Sequence, residues 1–507
     1  MLIHQLLLDG AMRQPERTAW RWVDRDRTLT YAEAAQAMDR MGGALTDLGV
    51  DKGDRVTIFA HNGLDYLISM FGAWRIGAIA ALVNVKFANE LPYYFADHQP
   101  SVVIYTHDTA EPVRRAAAGA PSIHHLVCMD GPQEGAHSLP DLMAAGFKPA
   151  PDPWDDEAIA HLSYTSGTTG KPKGACLRHE PTVRATRCIA ERLRIRGEDV
   201  SFGPTALSSS YQLVANLMPP LGRTAAVHVM GRWSQAAGYD AIEAAGATLF
   251  VANPSLLQEV LAECRIRGKT PGRLRLGLSG GGPVPPTLKK AFRDELALPL
   301  VESFGQSELG GFMALGLPEI ESDDARLMCV GPPLPDKEVR IVDREDREAP
   351  PGSIGEIVLR GGFMSGYWGK PDKTAEATRG GWLRTGDLGV MDRDGYLTMR
   401  GRRSELIWVN GTAWYPRDVE EALCRIEGVY EAALVGLPDA ALGARPIAAI
   451  RLDRPANLDE AAIKASIGAE LPYDLSQLVV MVVEAFPMTP TGKIAKSDLA
   501  AQLKEAG

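Results

Sequence analysis

Positive charge in excess is what this 507-residue chain lacks: 54 Lys and Arg stand against 64 Asp and Glu, a formal net charge of −10. Non-specific nucleic-acid binding rests on a basic face that neutralises phosphates, so that class of function is disfavoured, while a local basic pocket is still allowed. The chain also lacks any run approaching the ~20 apolar residues needed to cross a bilayer, so no stable membrane insertion is expected. Its opening stretch, MLIHQLLLDGAMRQPERTAW, is apolar only briefly and carries no basic leader, which does not read as a signal peptide. Cysteine is scarce. Cys128, Cys176, Cys188, Cys264, Cys329 and Cys424 form no C-x-x-C pair and follow no metal-ligand rhythm. They read as reduced thiols of a cytoplasmic protein. Internal repeats and low-complexity linkers are absent as well.

What is present is an alternation of helix and strand patterns. Thr30 and Glu33 form a capping box ahead of a helix whose apolar face runs through Ala34, Met38, Met41, Leu45 and Leu48 to Gly49. Strands are predicted at RVTIFA (55–60) and AIAALVN (78–84), with a helix over 64–76 between them. The same alternation returns with strands at 248–252, 274–279 and 298–304, and helices near 255–267 and 287–295. It implies layered α/β structure with largely parallel sheets. Between about 330 and 400 short strands and turns prevail, a β-rich region. The last hundred or so residues read as a small α+β unit, with helices near 416–425 and 458–470 and strands at EAALVGL and LVVMVVEAF. We expect a large unit over 1–401 and a small one over 402–507.

One segment stands apart. TSGTTGKPKG, Thr165 to Gly174, holds three glycines, four hydroxyl side chains and two lysines after the apolar stretch AHLSY. Small residues let a backbone approach a ligand closely, and the amides, hydroxyls and ammonium groups can converge on an anion such as phosphate. The nucleoside-triphosphatase loop G-x-x-x-x-G-K-[ST] is not met, because Pro172 follows Lys171 and no glycine stands at the required distance.

TSGTTGKPKG resembles the phosphate-binding signature of the adenylate-forming superfamily, which comprises acyl- and aryl-CoA synthetases, nonribosomal adenylation domains and beetle luciferases. Further segments resemble that family in its order: SGGGP (279–283), ESFGQSE (302–308), GEIVLRGGFMSGYW (355–368), GWLRTGDLG (381–389), GRRSELI (401–407) and PMTPTGKIAK (487–496). The resemblance spans essentially the whole chain. It implies an acetyl-CoA synthetase-like fold, with a small, mobile C-terminal domain. It also implies two chemical steps: a carboxylic acid attacks the α-phosphate of ATP to give an acyl-adenylate and pyrophosphate, and coenzyme A then displaces AMP.

The resemblance also assigns residues. Thr165, Ser166, Gly167, Thr168, Thr169, Gly170 and Lys173 would grip the phosphates, with Thr165 and Glu308 holding Mg2+. Gly280, Gly281 and Gly282, with Ser303, Phe304, Gly305, Gln306 and Ser307, would line the adenine. Asp387 and Arg402 would take the ribose. Lys493, with Glu308, would be catalytic, its ammonium bridging the acid and the α-phosphate. Ser404 falls at the hinge, where many relatives carry lysine or aspartate. Gly411 and Trp414 would line the tunnel for coenzyme A.

The acid itself is constrained by volume. Acetyl-CoA synthetases place a tryptophan where this chain has Gly305, so a larger pocket is expected, walled by Ser209, Ser210, Tyr211, Gly281, Gly305 and Gly310. A medium, bulky or aromatic monocarboxylate fits that expectation. One methylene is worth only ~1–3 kcal/mol of discrimination, which bounds size without naming a substrate. Two alternatives stand beside a CoA ligase: an enzyme that loads a separate acyl carrier protein, and a non-catalytic nucleotide-binding relative. The sequence leaves a homo-oligomer open.

Overall fold

The computed structural model describes residues 1–145, 155, 157–165, 171–320, 323–452, 459–488 and 494–506. Two large sheets form the body. The first orders its strands His137–Ser138, His125–Cys128, Val102–Tyr105, Arg55–Phe59, Ile79–Leu82, Ile159–Tyr164 and Gly174–Arg178. All neighbours run parallel except the last pair, an antiparallel hairpin. The second sheet runs Ala314–Leu315, Leu300–Phe304, Leu276–Ser279, Leu249–Ala252, Val200–Gly203, Ala226–Val229, Thr18–Trp22 and Arg27–Thr30. Its outermost pairs, at both edges, are antiparallel.

Sequence periodicity anticipates the interior well. The capping box at Thr30 is formed, and the helix it starts covers Tyr31–Asp47. The helix Leu64–Arg75 is buried nearly all round, the signature of a helix inside a core rather than on a surface. These two helices meet through glycine. A Cβ at Gly72 would come within 2.4 Å of the Met41 side chain, so the crossing tolerates no larger residue. Trp20, Phe71 and Trp74 continue the same core edge to face, with centroids 5.0 Å apart.

The β-rich region is an antiparallel sheet of Glu338–Val342, Ile354–Arg360, Leu383–Met391 and Leu397–Arg402. The C-terminal unit packs helices Pro416–Cys424, Glu460–Gly468 and Lys496–Ala506 on a sheet built from Ile407–Val409, Thr412–Trp414, Val429–Asp439, Gly443–Leu452 and Val479–Val482. The last strand is shorter than LVVMVVEAF suggests, since Val482 already faces solvent. Arg402 still pairs with Asp387 across the β-rich sheet, so regular pairing ends one residue past the expected boundary at 401.

Burial depresses the pKa of four of the buried histidines: His98 and His179 to about 3, His161 and His228 to about 4. The unfolded chain takes up these protons near 6.5 and the folded chain does not, so stability falls as pH drops from about 6.5 towards 4. The loss is about 1.4 kcal/mol per histidine one unit below the unfolded value. Neither ring nitrogen of His161 has a hydrogen-bond partner among the described residues. His161→Phe is therefore expected to flatten the decline of Tm between pH 7.5 and 5.5; an unchanged slope would refute the assignment.

Candidate active site

The glycine–hydroxyl segment joins strands Ile159–Tyr164 and Gly174–Arg178, and the Thr165 amide donates to the Lys173 carbonyl at 3.0 Å, closing the neck of the hairpin. Ser166, Gly167, Thr168, Thr169 and Gly170 lie outside the described residues. Both stems are tied down. The Tyr93 hydroxyl donates to the Pro172 carbonyl at 2.5 Å, and the Lys171 ammonium sits 5.2 Å from the centroid of the same ring. On the other stem the Tyr164 hydroxyl donates to Asp97 at 2.9 Å and lies 2.9 Å from His98 Nδ1. Asp97 is also paired with Lys370. None of these anchors is visible in the sequence, because each comes from a distant element and none falls within the loop signature.

Beyond the neck a charged chain forms. Lys173 Nζ lies 4.5 Å from the centroid of the Tyr367 ring, and the Tyr367 hydroxyl donates to Glu308 Oε1 at 2.7 Å. Burial and the Glu308 charge push the Tyr367 hydroxyl up, so it stays a donor. Glu308 stands on the single turn Ser307–Leu309. The Thr165 hydroxyl is buried without a hydrogen-bond partner among the described residues. An unpartnered hydroxyl and a carboxylate that keeps a second oxygen are hard oxygen donors, the ligand chemistry that suits Mg2+.

The nucleotide-binding candidates gather at the carboxyl ends of the second sheet's strands, where ligands of open α/β sheets bind. Ser303 Oγ donates to the Ser279 carbonyl at 2.9 Å, which sets the two adjacent loops side by side. A Cβ at Gly280 would strike Ser303 and Tyr211, at 2.3 and 2.7 Å. By contrast, Cβ atoms at Gly281 and Gly282 would meet nothing within 4 Å, so an open space lies over this turn. Phe304 is half-buried beside it. Gln306 donates to Asp387 Oδ2 at 2.6 Å and to the Thr385 carbonyl at 2.8 Å, and Arg402 Nε lies 3.3 Å from Asp387 Oδ1. The buried Asp387 carboxylate is thus oriented from two sides.

Two sequence expectations need correction. Gly305 has one exposed face, but a side chain there would not point into free volume: its Cβ would come within 2.8 Å of the Gly311 carbonyl and 3.2 Å of the Phe312 ring. Glycine is required by packing, and so is Gly310, with φ +59° and a Cβ position 3.1 Å from Thr182 Oγ1. The wall is built by Tyr211, whose hydroxyl donates to the Leu278 carbonyl at 2.9 Å and whose ring lies 6.0 Å from Phe312. Ser209 stands at the N-cap position, without a side-chain capping bond, and Ser210 opens the helical turn that carries Tyr211. The second correction concerns Trp414. It is 1% exposed and stacks on Tyr473 at 4.7 Å inside the small unit's core, so it lines no tunnel in this arrangement. Gly411 is exposed, on a turn with Asn410 in which both φ angles are positive, +76° and +50°.

Ser404 is exposed on the one-turn link Arg403–Glu405 between the β-rich sheet and the small unit. Lys493 lies outside the described residues. Nearby, Lys496 is held by Glu405 and Glu420 at 3.2 and 2.7 Å. The small unit meets the body where Arg400 Nη1 lies 2.7 Å from Asp418 Oδ1, where the Tyr430 hydroxyl donates to Gln258 Oε1 at 3.0 Å, and at a nearly buried guanidinium. Arg417 Nε lies 2.5 Å from Glu421 Oε1 of its own helix, and Nη2 is 4.0 Å from Glu302 Oε1. Glu302 is also 2.5 Å from Lys289 Nζ, a contact of charge rather than a directed hydrogen bond, since Oε2 accepts none. Glu302 immediately precedes Ser303 and Phe304 of the open crevice.

Comparison with known proteins agrees with this geometry. Residues 8–368 match the family model of the AMP-binding enzymes, and residues 418–493 match that of the AMP-binding enzyme C-terminal domain. The chain is 30% identical to the sulfoacetate–CoA ligase of Cupriavidus necator, over 97% of this chain and 96% of that protein. It is 30% identical to a feruloyl-CoA synthase of Amycolatopsis, over 93% of each. Among solved structures it resembles the anthranilate CoA ligase AuaEII in complex with anthranoyl-AMP, with a TM-score of 0.92, 26% identity, and coverage of 100% of this chain and 98% of that one. With both models matched in order and relatives aligned along almost the full length, the chain belongs to the family of AMP-binding enzymes.

Proposed function

We propose that the protein is an AMP-forming carboxylate–CoA ligase acting on a bulky or aromatic acid. In the first step a carboxylate oxygen attacks the α-phosphorus of ATP and the bond to pyrophosphate breaks, giving acyl-AMP. In the second, the thiol sulfur of coenzyme A attacks the acyl carbon, AMP leaves, and the thiol proton passes to solvent. The observation that carries the reading is the chain from Lys173 through Tyr367 to Glu308, with the unpartnered Thr165 hydroxyl at the neck of the same hairpin. The Gln306–Asp387–Arg402 cluster complements it on the strands behind.

Each residue then has a role set by charge. Lys173, with the amides and hydroxyls of residues 165–170, binds the β- and γ-phosphates. Glu308 and Thr165 would hold Mg2+, which neutralises phosphate charge when bound. Tyr367 fixes the Glu308 carboxylate by its hydroxyl. Asp387 accepts the ribose hydroxyls and Arg402 orients it, so both position rather than react. The open space over Gly281 and Gly282 receives the adenine, and Phe304 flanks it. Lys493 supplies the ammonium between the acid and the α-phosphate, a contact needed most in the transition state.

Residues 1–401 and 402–507 act as two bodies that pivot at Ser404, a hinge motion that withdraws Lys493 after adenylation and brings Gly411 towards the acyl group. The acid lies against Tyr211 and Phe312, ring faces that suit an aromatic or bulky partner. The feruloyl- and anthranilate-activating relatives support that class. Among the described residues no helix is long and apolar enough to cross a membrane.

Two experiments test this reading. Pyrophosphate release from ATP is measured with aliphatic, alicyclic, aromatic and steroid acids, and the active acids are then offered coenzyme A or a phosphopantetheinylated carrier protein. Aromatic acids are expected to release pyrophosphate and to yield CoA thioesters. Silence across the panel would favour a non-catalytic relative, and transfer to the carrier alone a loading enzyme. For the two bodies, Arg417→Met combined with Asp418→Asn is expected to make trypsin cut after Arg402 and Arg403 several-fold faster, because the ionic contacts with Glu302 and Arg400 across the junction are lost. Unchanged cleavage would contradict the two-body account.

A further inference from the structure

At the carboxyl edge of the first sheet, away from the nucleotide crevice, two adjacent parallel strands end in a cluster of potential ligands. The strand Val102–Tyr105 leads into His107, and the strand His125–Cys128 ends in Cys128 and leads into Asp130. The nitrogen, sulfur and oxygen atoms of His107, Cys128 and Asp130 all lie within 4.8 Å of one another. We propose that His107, Cys128 and Asp130 form a site for a borderline-soft divalent cation of the zinc class, unrelated to the nucleotide.

The donor set selects the ion. Thiolate, imidazole and carboxylate together suit zinc, whereas magnesium and calcium avoid sulfur. Three protein ligands leave one position of a tetrahedron for water. Ligand atoms around such an ion stand roughly 3.5 Å apart, so closure takes movements of about an ångström, within reach of side-chain rotation. Much of the arrangement is fixed already. The His107 amide donates to Asp130 Oδ2 at 2.7 Å, and His107 Nδ1 lies 4.0 Å from that same oxygen. His107 and Asp130 are exposed at the rim and Cys128 is buried beneath them, which gives the ion a way in and a dry floor.

A second feature concerns the sulfur. Cys128 stands first in the turn Cys128–Met129–Asp130–Gly131, with Gly131 at φ +122°. The cation takes the place of the thiol proton, which passes to solvent. At the end of the next strand, His61 Nε2 lies 3.4 Å from Asp108 Oδ2, so further nitrogen and oxygen donors adjoin the cluster. The linear sequence gave no metal-ligand spacing because the ligands come from separate strands.

Full-length, tag-free protein is equilibrated with Zn2+ without nucleotide, dialysed, and analysed for bound metal; Co2+ replaces Zn2+ for spectroscopy. The parent is expected to retain one ion per chain and to give a thiolate-to-cobalt charge-transfer band. Cys128→Ser should lose that band, and His107→Ala should weaken binding by about tenfold or more. His125→Ala, at the opposite end of its strand, should bind like the parent. His107 is exposed, so its variant tests the site even where the buried serine substitution impairs folding, which Tm reports. A parent that retains no ion, a cobalt spectrum without the sulfur band, or binding unaffected by His107→Ala would overturn the proposal.

Discussion

A carboxylate and a triphosphate repel each other, and the arrangement of this molecule answers that repulsion. Positive charge and polarised donors must stand where negative charge concentrates, yet stay apart from the carboxylates that organise them. The two parallel sheets provide the platform, since their carboxyl ends release loops at one edge while their sides are buried against helices. The loop after Tyr164, the turns after Ser279 and Phe304, and the strand bearing Asp387 are held by different elements. Contacts behind the site tie down the described stems and turns: Tyr93 on Pro172, Tyr164 on Asp97, Ser303 on Ser279 and Gln306 on Asp387.

Dividing the charge between two bodies follows from the same constraint. An ammonium left permanently between acid and phosphate would obstruct the incoming thiol, so an enzyme with two steps gains by carrying it on a movable unit. The junction suits such a function. Its connecting turn at Arg403–Glu405 is short and polar, whereas Arg417 is nearly buried between Glu302 and Glu421. A buried guanidinium with two carboxylates costs desolvation, and that cost is offset only while the partners stay in place. Such a contact holds one orientation without making it irreversible. Glu302 immediately precedes Ser303 and Phe304, so the junction and the crevice share one strand end.

Much of this was legible in the chain because local patterns encode local structure. The capping box at Thr30, the strands near 55, 248, 274 and 298, and the β-rich stretch after 330 are all present. The segments bearing Thr165, Lys173, Glu308, Asp387 and Arg402 were marked by glycine, hydroxyl and charge at short spacing. What escaped was everything held across distance. No periodicity reveals that Thr18–Trp22 pairs with Ala226–Val229, that Tyr367 holds Glu308, or that Arg417 reaches Glu302. Glycine at 305 does not by itself open the wall, because the space beside it is decided by Gly311 and Phe312, which no count of glycines predicts. Trp414 was misread because an aromatic near a functional turn is as well suited to a small domain's core.

The central claim is that one ammonium, delivered by the C-terminal unit, is needed for adenylation and not for thioester formation. It is tested most directly by separating the half-reactions of Lys493→Ala. Acyl-AMP formation from acid and ATP is followed by single-turnover kinetics, and CoA thioester formation is followed from chemically prepared acyl-AMP. The account predicts that the first rate falls by about a thousandfold while the second stays within a few fold of the parent. Equal loss in both, or an undiminished first step, would contradict it.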